Sequence, residues 1–267
     1  MDVYRFKKII EYSKANREEI EQSIRKFCAV MNIKSDSDVR DVLLLVREVF
    51  LRRGFIVFEM PFKDDEIGAL CYKGDGLGYV VINSSLPKVN SNFAVAHEIY
   101  HVFFQESEFK SKIELANEHY YDNEDEYIAN VFAGALLLPE NSFRGMFEKF
   151  MAESNGLIET ICKLMNYYQA PYMATLIRCC ELRLIEMKDM TNDLMSVNKE
   201  IVLSTFSELW LDSKILEPSL RDDFDNVERL VMRMGEEFVQ GEYINQRTLD
   251  IVLKNIKTLS KQIKGDD

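Results

Sequence analysis

From Phe93 to Gln105 the chain reads FAVAHEIYHVFFQ, an apolar helical run interrupted by His97, Glu98 and His101. No other feature constrains the fold as much. A helix that is apolar on nearly every side is a buried helix. Burying polar groups without partners costs about 1–3 kcal/mol each, and more for a charge. Whatever this chain folds into must therefore bring partners to these three side chains. A step of four residues turns a helix by about 400° and rises about 6 Å, so both imidazoles leave one face, one turn apart. That separation lets both bind a single Zn²⁺ at about 2.0–2.1 Å. Glu98 lies about 100° round the helix from His97, where it can reach a water on that metal without ligating the metal itself. Such a placement suits a general base.

An open zinc site of this kind needs a third protein ligand. The chain has three histidines in all, and the remaining one, His119, falls in a polar stretch that reads as surface. A longer histidine motif would place glycine three residues past His101 and histidine six past it. Phe104 and Ser107 stand there instead. A carboxylate is left. Glu126 opens the next apolar helix, and Asn130 follows one turn later on the same face, where it could hydrogen-bond a ligand histidine. Glu118, Asp122, Glu124 and Asp125 compete with Glu126, although they also suit a solvated acidic loop that caps a helix start. Spacing alone leaves the choice open.

Around this centre the pattern is mainly helical. Gly (11) and Pro (5) are scarce, so breaks are few. Apolar residues recur at helical spacing through Val3–Ile33. A cluster of cap residues, Ser35 to Asp38, precedes a helix over Val39–Arg53 that stops at Gly54. Three short β-rich runs follow: Phe55–Met60, Ala69–Tyr72 and Tyr79–Asn83. The glycine-rich stretch Gly74–Gly78 joins the last two as a hairpin. Together they predict a small antiparallel sheet. The apolar helix is expected to begin after Asn90-Ser91-Asn92. Glu106–Asp125 reads as loop or short helices, and Glu124–Leu138 as a second apolar helix ended by Pro139. Two helical patterns meet near Ala170-Pro171 within Gly156–Glu186. Beyond Met187 the chain is polar and helical over Val197–Leu211, Asp225–Phe238 and Thr248–Ile263.

Charge and cysteine usage narrow the class. The net charge is −12, and the excess acid concentrates in residues 60–186 (net −9) against net +2 for residues 1–59 and −5 for 187–267. A broadly basic nucleic-acid-binding surface is therefore not expected. Within residues 157–186, Lys163, Arg178 and Arg183 are balanced by Glu159, Glu181 and Glu186, so phosphate attraction is weak there too. The five cysteines are odd in number, scattered and without a CxxC pair, which fits reduced thiols in a cytoplasm. No apolar run reaches about 18 residues, so no membrane span is expected.

The segments NSNFAVAHEIYHVFF and EDEYIANVFAGALLLPE resemble the ImmA/IrrE family of zinc metallopeptidases. The chain matches that family's two-part motif at Phe93, Ala96, His97, Glu98 and His101, then at Glu126, Ala129, Asn130, Phe132, Ala133, Leu136, Leu137 and Pro139. The strand YVVIN (Tyr79–Asn83) and the segment from Leu157 to Ile185 are similar as well. Tyr100 departs from the pattern, since the family usually has glycine there. The resemblance covers roughly Val39–Glu186 and implies Glu126 as the third metal ligand. It also implies a helix-turn-helix-like piece at 157–186.

The expected architecture is therefore α+β: a mostly helical, zincin-like core over residues 36–186 with a small antiparallel sheet, an N-terminal helical segment (1–35) and a C-terminal helical region (187–267). The expected activity is that of a gluzincin-like zinc endopeptidase. Zn²⁺ would be held by His97, His101 and Glu126, with Glu98 as base and Asn130 behind the ligands. Tyr167, Tyr168, Tyr172, Arg178 and His119 are the candidate oxyanion donors. The resemblance implies a cytoplasmic protein substrate such as a DNA-binding repressor or antitoxin. The competing reading is a protein-interaction module with a structural zinc, in which the helical regions bind a regulatory partner. An intact Glu98 argues against it.

Overall fold

The computed structural model describes residues 3–34, 42–65, 67–74, 77–104, 112–115, 124–188, 190 and 192–265. Two N-terminal helices, α1 (Val3–Ala15) and α2 (Arg17–Met31), are followed by α3 (Val42–Arg52). Helices α2 and α3 stop where the chain turns left-handed. Asn32 ends α2 at φ 55°, with its N–H on the Ala29 carbonyl, and Gly54 follows α3 at φ 80°, a conformation that glycine adopts without strain.

Strands β1 (Phe55–Met60), β2 (Ile67–Gly74), β3 (Leu77–Asn83) and β4 (Lys112–Leu115) form one sheet in the order β1-β3-β2-β4. The expected β2/β3 hairpin is present, with Gly74 opposite Leu77. The expectation of a wholly antiparallel sheet is corrected: β1 and β3 run parallel, Phe55 pairing with Gly78 and Met60 with Asn83. Three successive strands do alternate in direction, but β3 enters between β1 and β2, so the pair that becomes adjacent is the parallel one. Gly78 permits the approach, because a Cβ there would meet the Phe55 ring at 2.5 Å. The fourth strand, β4, pairs antiparallel with β2 and comes from a stretch read as loop or short helices. Its four residues are too few to set a period against the polar sequence around them.

Helix α4 spans Lys88–Phe104, beginning five residues before the expected start. Asn90-Ser91-Asn92, expected to precede the helix, is part of it. Two of its side chains have partners that release them from turn chemistry: Ser91 Oγ donates to the Asn83 carbonyl (3.1 Å) and Asn92 Nδ2 to the Gln169 carbonyl (3.1 Å). Helix α5 (Glu124–Leu137) ends just before Pro139, which also opens α6 (Glu140–Ala152), a helix the sequence reading left unassigned. Helices α7 (Leu157–Tyr168) and α8 (Tyr172–Glu181) are joined by a three-residue turn with Gln169 at φ 53°. After the short α9 (Asn192–Met195) come α10 (Lys199–Glu208), α11 (Phe224–Gln240) and α12 (Gln246–Lys264). The starts of α10 and α12 are capped by Asn198 and Asn245, which accept from the Ile201 and Thr248 amides.

Alternation along β3 splits the apolar packing in two. Val80 and Ile82 point into the main core, which gathers α1–α8 and α10, while Val81 points to a smaller cluster with Met60 and Phe62, flanked by Phe224 and Ile263 of α11 and α12. The C-terminal helices are tied to the sheet by segment 217–223. Asp223 N donates to the Glu59 carbonyl (2.8 Å), its Oδ2 accepts from Glu59 N (3.0 Å), and Leu220 N donates to the Ser84 carbonyl (3.0 Å). Among the described residues no helix is long and apolar enough to cross a membrane. All five cysteines are buried and none is in a disulfide.

Candidate metal centre

Helices α4 and α5 pack side by side, and small residues let them approach: Ala96 of α4 and Ala129 and Ala133 of α5 are completely buried. The crossing brings His97 and His101 to Glu126. His97 Nε2 lies 2.8 Å from His101 Nε2 and 3.2 Å from Glu126 Oε2, and His101 Nε2 lies 3.7 Å from the same carboxylate oxygen. One ligand atom from each of the three can be chosen so that all lie within 4.8 Å of one another.

His97 is oriented from behind. Its Nδ1 is 3.0 Å from Asn130 Oδ1, one turn along α5 from Glu126. A carbonyl oxygen only accepts, so this contact places a proton on Nδ1 and leaves Nε2 with a lone pair in the neutral imidazole. That lone pair faces the Glu126 carboxylate at 3.2 Å. Two acceptors at such a distance repel unless a cation lies between them, either a proton or a metal ion. Two imidazoles and one carboxylate are the donor set of an open zinc site, so the residues fit the metal. Burial pushes the Glu126 carboxyl up, but hydrogen bonds and charge from His101 and His97 outweigh it and hold the group well below the usual carboxylate range.

Glu98 follows His97 on α4 and is fully buried, with His97 and His101 at 4% and 2% exposure. Tyr100 packs as a core residue, its ring 5.5 Å from Phe132 and edge-on to His101 at 6.1 Å. Of the other carboxylates considered, Glu118 and Asp122 lie outside the described residues, as does His119. Glu124 and Asp125 begin α5 with their side chains outside them.

Two of the candidate oxyanion donors are engaged elsewhere. Arg178 Nε donates to the Leu138 carbonyl (3.0 Å) and its Nη1 to Glu181 (2.9 Å). Tyr168 Oη shares a hydrogen bond with Ser142 (2.5 Å). Tyr172 is buried, and burial followed by the nearby Cys162 and Cys179 pushes its phenol up. Tyr167 stacks edge-on against Tyr168 at 4.8 Å. A tie that no spacing in the sequence announces runs from Asn92, at the start of α4, to the turn between α7 and α8. The cue for it is a polar residue in the first turns of a buried helix, a position that requires a partner.

Residues 51–179 match the model of a peptidase family described as the IrrE N-terminal-like domain. The matched span contains α4, α5 and His97, Glu98, His101, Glu126 and Asn130. A comparison with curated proteins finds no match.

Proposed function

Residues 51–179 belong to the peptidase family of the IrrE N-terminal-like domain, and on that premise we propose that the chain is a zinc-dependent endopeptidase that cuts one specific intracellular protein. The observation that carries the proposal is the convergence of His97, His101 and Glu126, with Asn130 holding His97 in the tautomer whose Nε2 can ligate. His97, His101 and Glu126 would hold the ion. When bound, zinc supplies an acidified water and a Lewis acid for the scissile carbonyl. Glu98 takes a proton from the attacking water and delivers it to the leaving amine. Asn130 keeps the His97 ring from rotating out of line. A set of buried cysteines without disulfides suits a reducing compartment, and a DNA-binding repressor or antitoxin is the substrate class we favour.

Metal analysis of the purified chain tests the centre. One zinc per chain is expected, lost in His97→Ala, and a well-folded wild type without metal would sink the assignment. Glu98→Gln should keep the metal and lower turnover by about 10²–10⁴-fold. Incubation with a candidate repressor, with fragments read by mass spectrometry, tests the substrate. A Glu98→Gln protein that still produces the same fragments would remove Glu98 as the base.

A further inference from the structure

We propose that a second site, on the far side of α5 from the metal centre, binds a small organic phosphate. A cavity of about 660 Å³ opens between the N-terminal helix pair and α5, α6 and α8. Val131 and Ala135 form its wall on α5, and at 100° per residue they lie about 140° and 180° round that helix from Glu126. The two sites therefore share a helix but face opposite ways.

The charge of this cavity is opposite to that of the protein. Six cations line it, Lys14, Arg17, Arg25, Arg144, Arg178 and Arg183, against three carboxylates, in a chain of net charge −12. Every carboxylate is already engaged. Glu21 takes Arg17 (2.7 Å) and Arg25 (3.5 Å), Glu140 takes Arg17 (2.7 Å) and Arg144 (2.8 Å), and Glu181 takes Arg178 (2.9 Å). Lys14 and Arg183 make no ion pair among the described residues. Arg183 also stands at φ 58°, in the left-handed region where glycine or asparagine is the usual residue.

The two cations left without an ion pair are one guanidinium fork and one ammonium, both donors that recognise phosphoryl oxygens. Ile20, Ile24 and Leu182 add an apolar wall, suited to an organic body attached to the phosphate. The volume is that of a small-molecule site, whereas a nucleic acid needs an extended basic surface. Four of the six cations (Lys14, Arg17, Arg25 and Arg183) lie outside residues 51–179. The cavity is thus made where this chain's own N-terminal helices join the family's domain.

Equilibrium dialysis of the full chain against ADP tests the proposal, with citrate as a competitor that carries carboxylates and no phosphoryl group. Lys14 and Arg183 are exposed and unpaired, so Lys14→Glu and Arg183→Glu should fold as the wild type does. Saturable binding of one ADP per chain is expected, weakened by about tenfold or more in each charge reversal and resistant to citrate. No saturable binding up to about 1 mM ADP would overturn the proposal. So would binding unchanged in both variants, and so would competition by citrate at concentrations equal to ADP.

Discussion

Asn130 Oδ1 sits 3.0 Å from His97 Nδ1, so the helix that brings Glu126 to the centre also orients its first imidazole. Loss of this contact frees the His97 ring to rotate and removes the acceptor that fixes its tautomer. Asn130→Ala is expected to weaken metal binding by about 10–100-fold, read by competition with a chromophoric chelator. Asn130→Asp, which keeps an acceptor at the same reach, should bind far more tightly than the alanine variant.

Acid should release the metal through the imidazoles before it does so through the carboxylate. Ligands must be deprotonated to bind, and Glu126 is held well below the usual carboxylate range by its histidine neighbours, so it stays ionised as pH falls. Metal affinity measured across the range from about pH 8 to about pH 5 is expected to fall with a two-proton dependence as the imidazoles protonate. A one-proton dependence would mean that a single histidine ligates.

Alkali should destabilise the fold earlier than lysine titration alone would. Burial pushes the Cys162 and Cys180 thiols up to about 12 from 9.0, and it raises Cys28 and Cys179 as well. The folded state keeps these protons where the unfolded chain releases them. Their contribution is therefore intact below pH 9.0 and is lost as pH rises toward the folded values. Each such group steepens the loss by about 1.4 kcal/mol per pH unit. Urea midpoints at about pH 8 and about pH 10.5 measure it. In the native protein at about pH 8 a thiol reagent should react with none of the five cysteines.

Two helical glycines should respond to alanine with opposite signs. At Gly134, in α5, a Cβ would meet nothing within 4 Å, so Gly134→Ala should stabilise by up to about 1 kcal/mol through helix propensity. At Gly235, in α11, the Cβ would fall 2.1 Å from Leu249 Cδ1, and Leu249 is only 2% exposed. Overpacking by about 1–3 kcal/mol outweighs the propensity gain there. Amide exchange in α11 and α12 should accelerate in Gly235→Ala while α4 and α5 keep their protection.

The parts of this molecule legible in its sequence are those set by local period. The apolar runs of α4 and α5 and the four-residue steps from His97 to His101 and from Glu126 to Asn130 needed no tertiary information. The sheet was legible in content and not in order. The runs that became β1, β2 and β3 were visible, but which of them would be neighbours depends on where β3 inserts, a property of the whole core. β4 escaped because four residues carry too little pattern. The start of α4 was misplaced because Asn90-Ser91-Asn92 has turn chemistry until Asn83 and Gln169 supply partners. The arginine cavity was invisible for a related reason: Lys14 and Arg144 sit on separate helices and Arg183 in the turn after α8, and only packing brings them together.

β1 is the outer strand of its sheet, and an outer strand offers unpaired amides and carbonyls to any strand that drifts past. Glu59 spends its outward N–H and C=O on Asp223, so the segment leading into α11 seals the sheet against its neighbours. Removing residues from Glu217 onward should leave the metal ligands in place and produce a protein that self-associates through β1, seen as light scattering that grows with concentration.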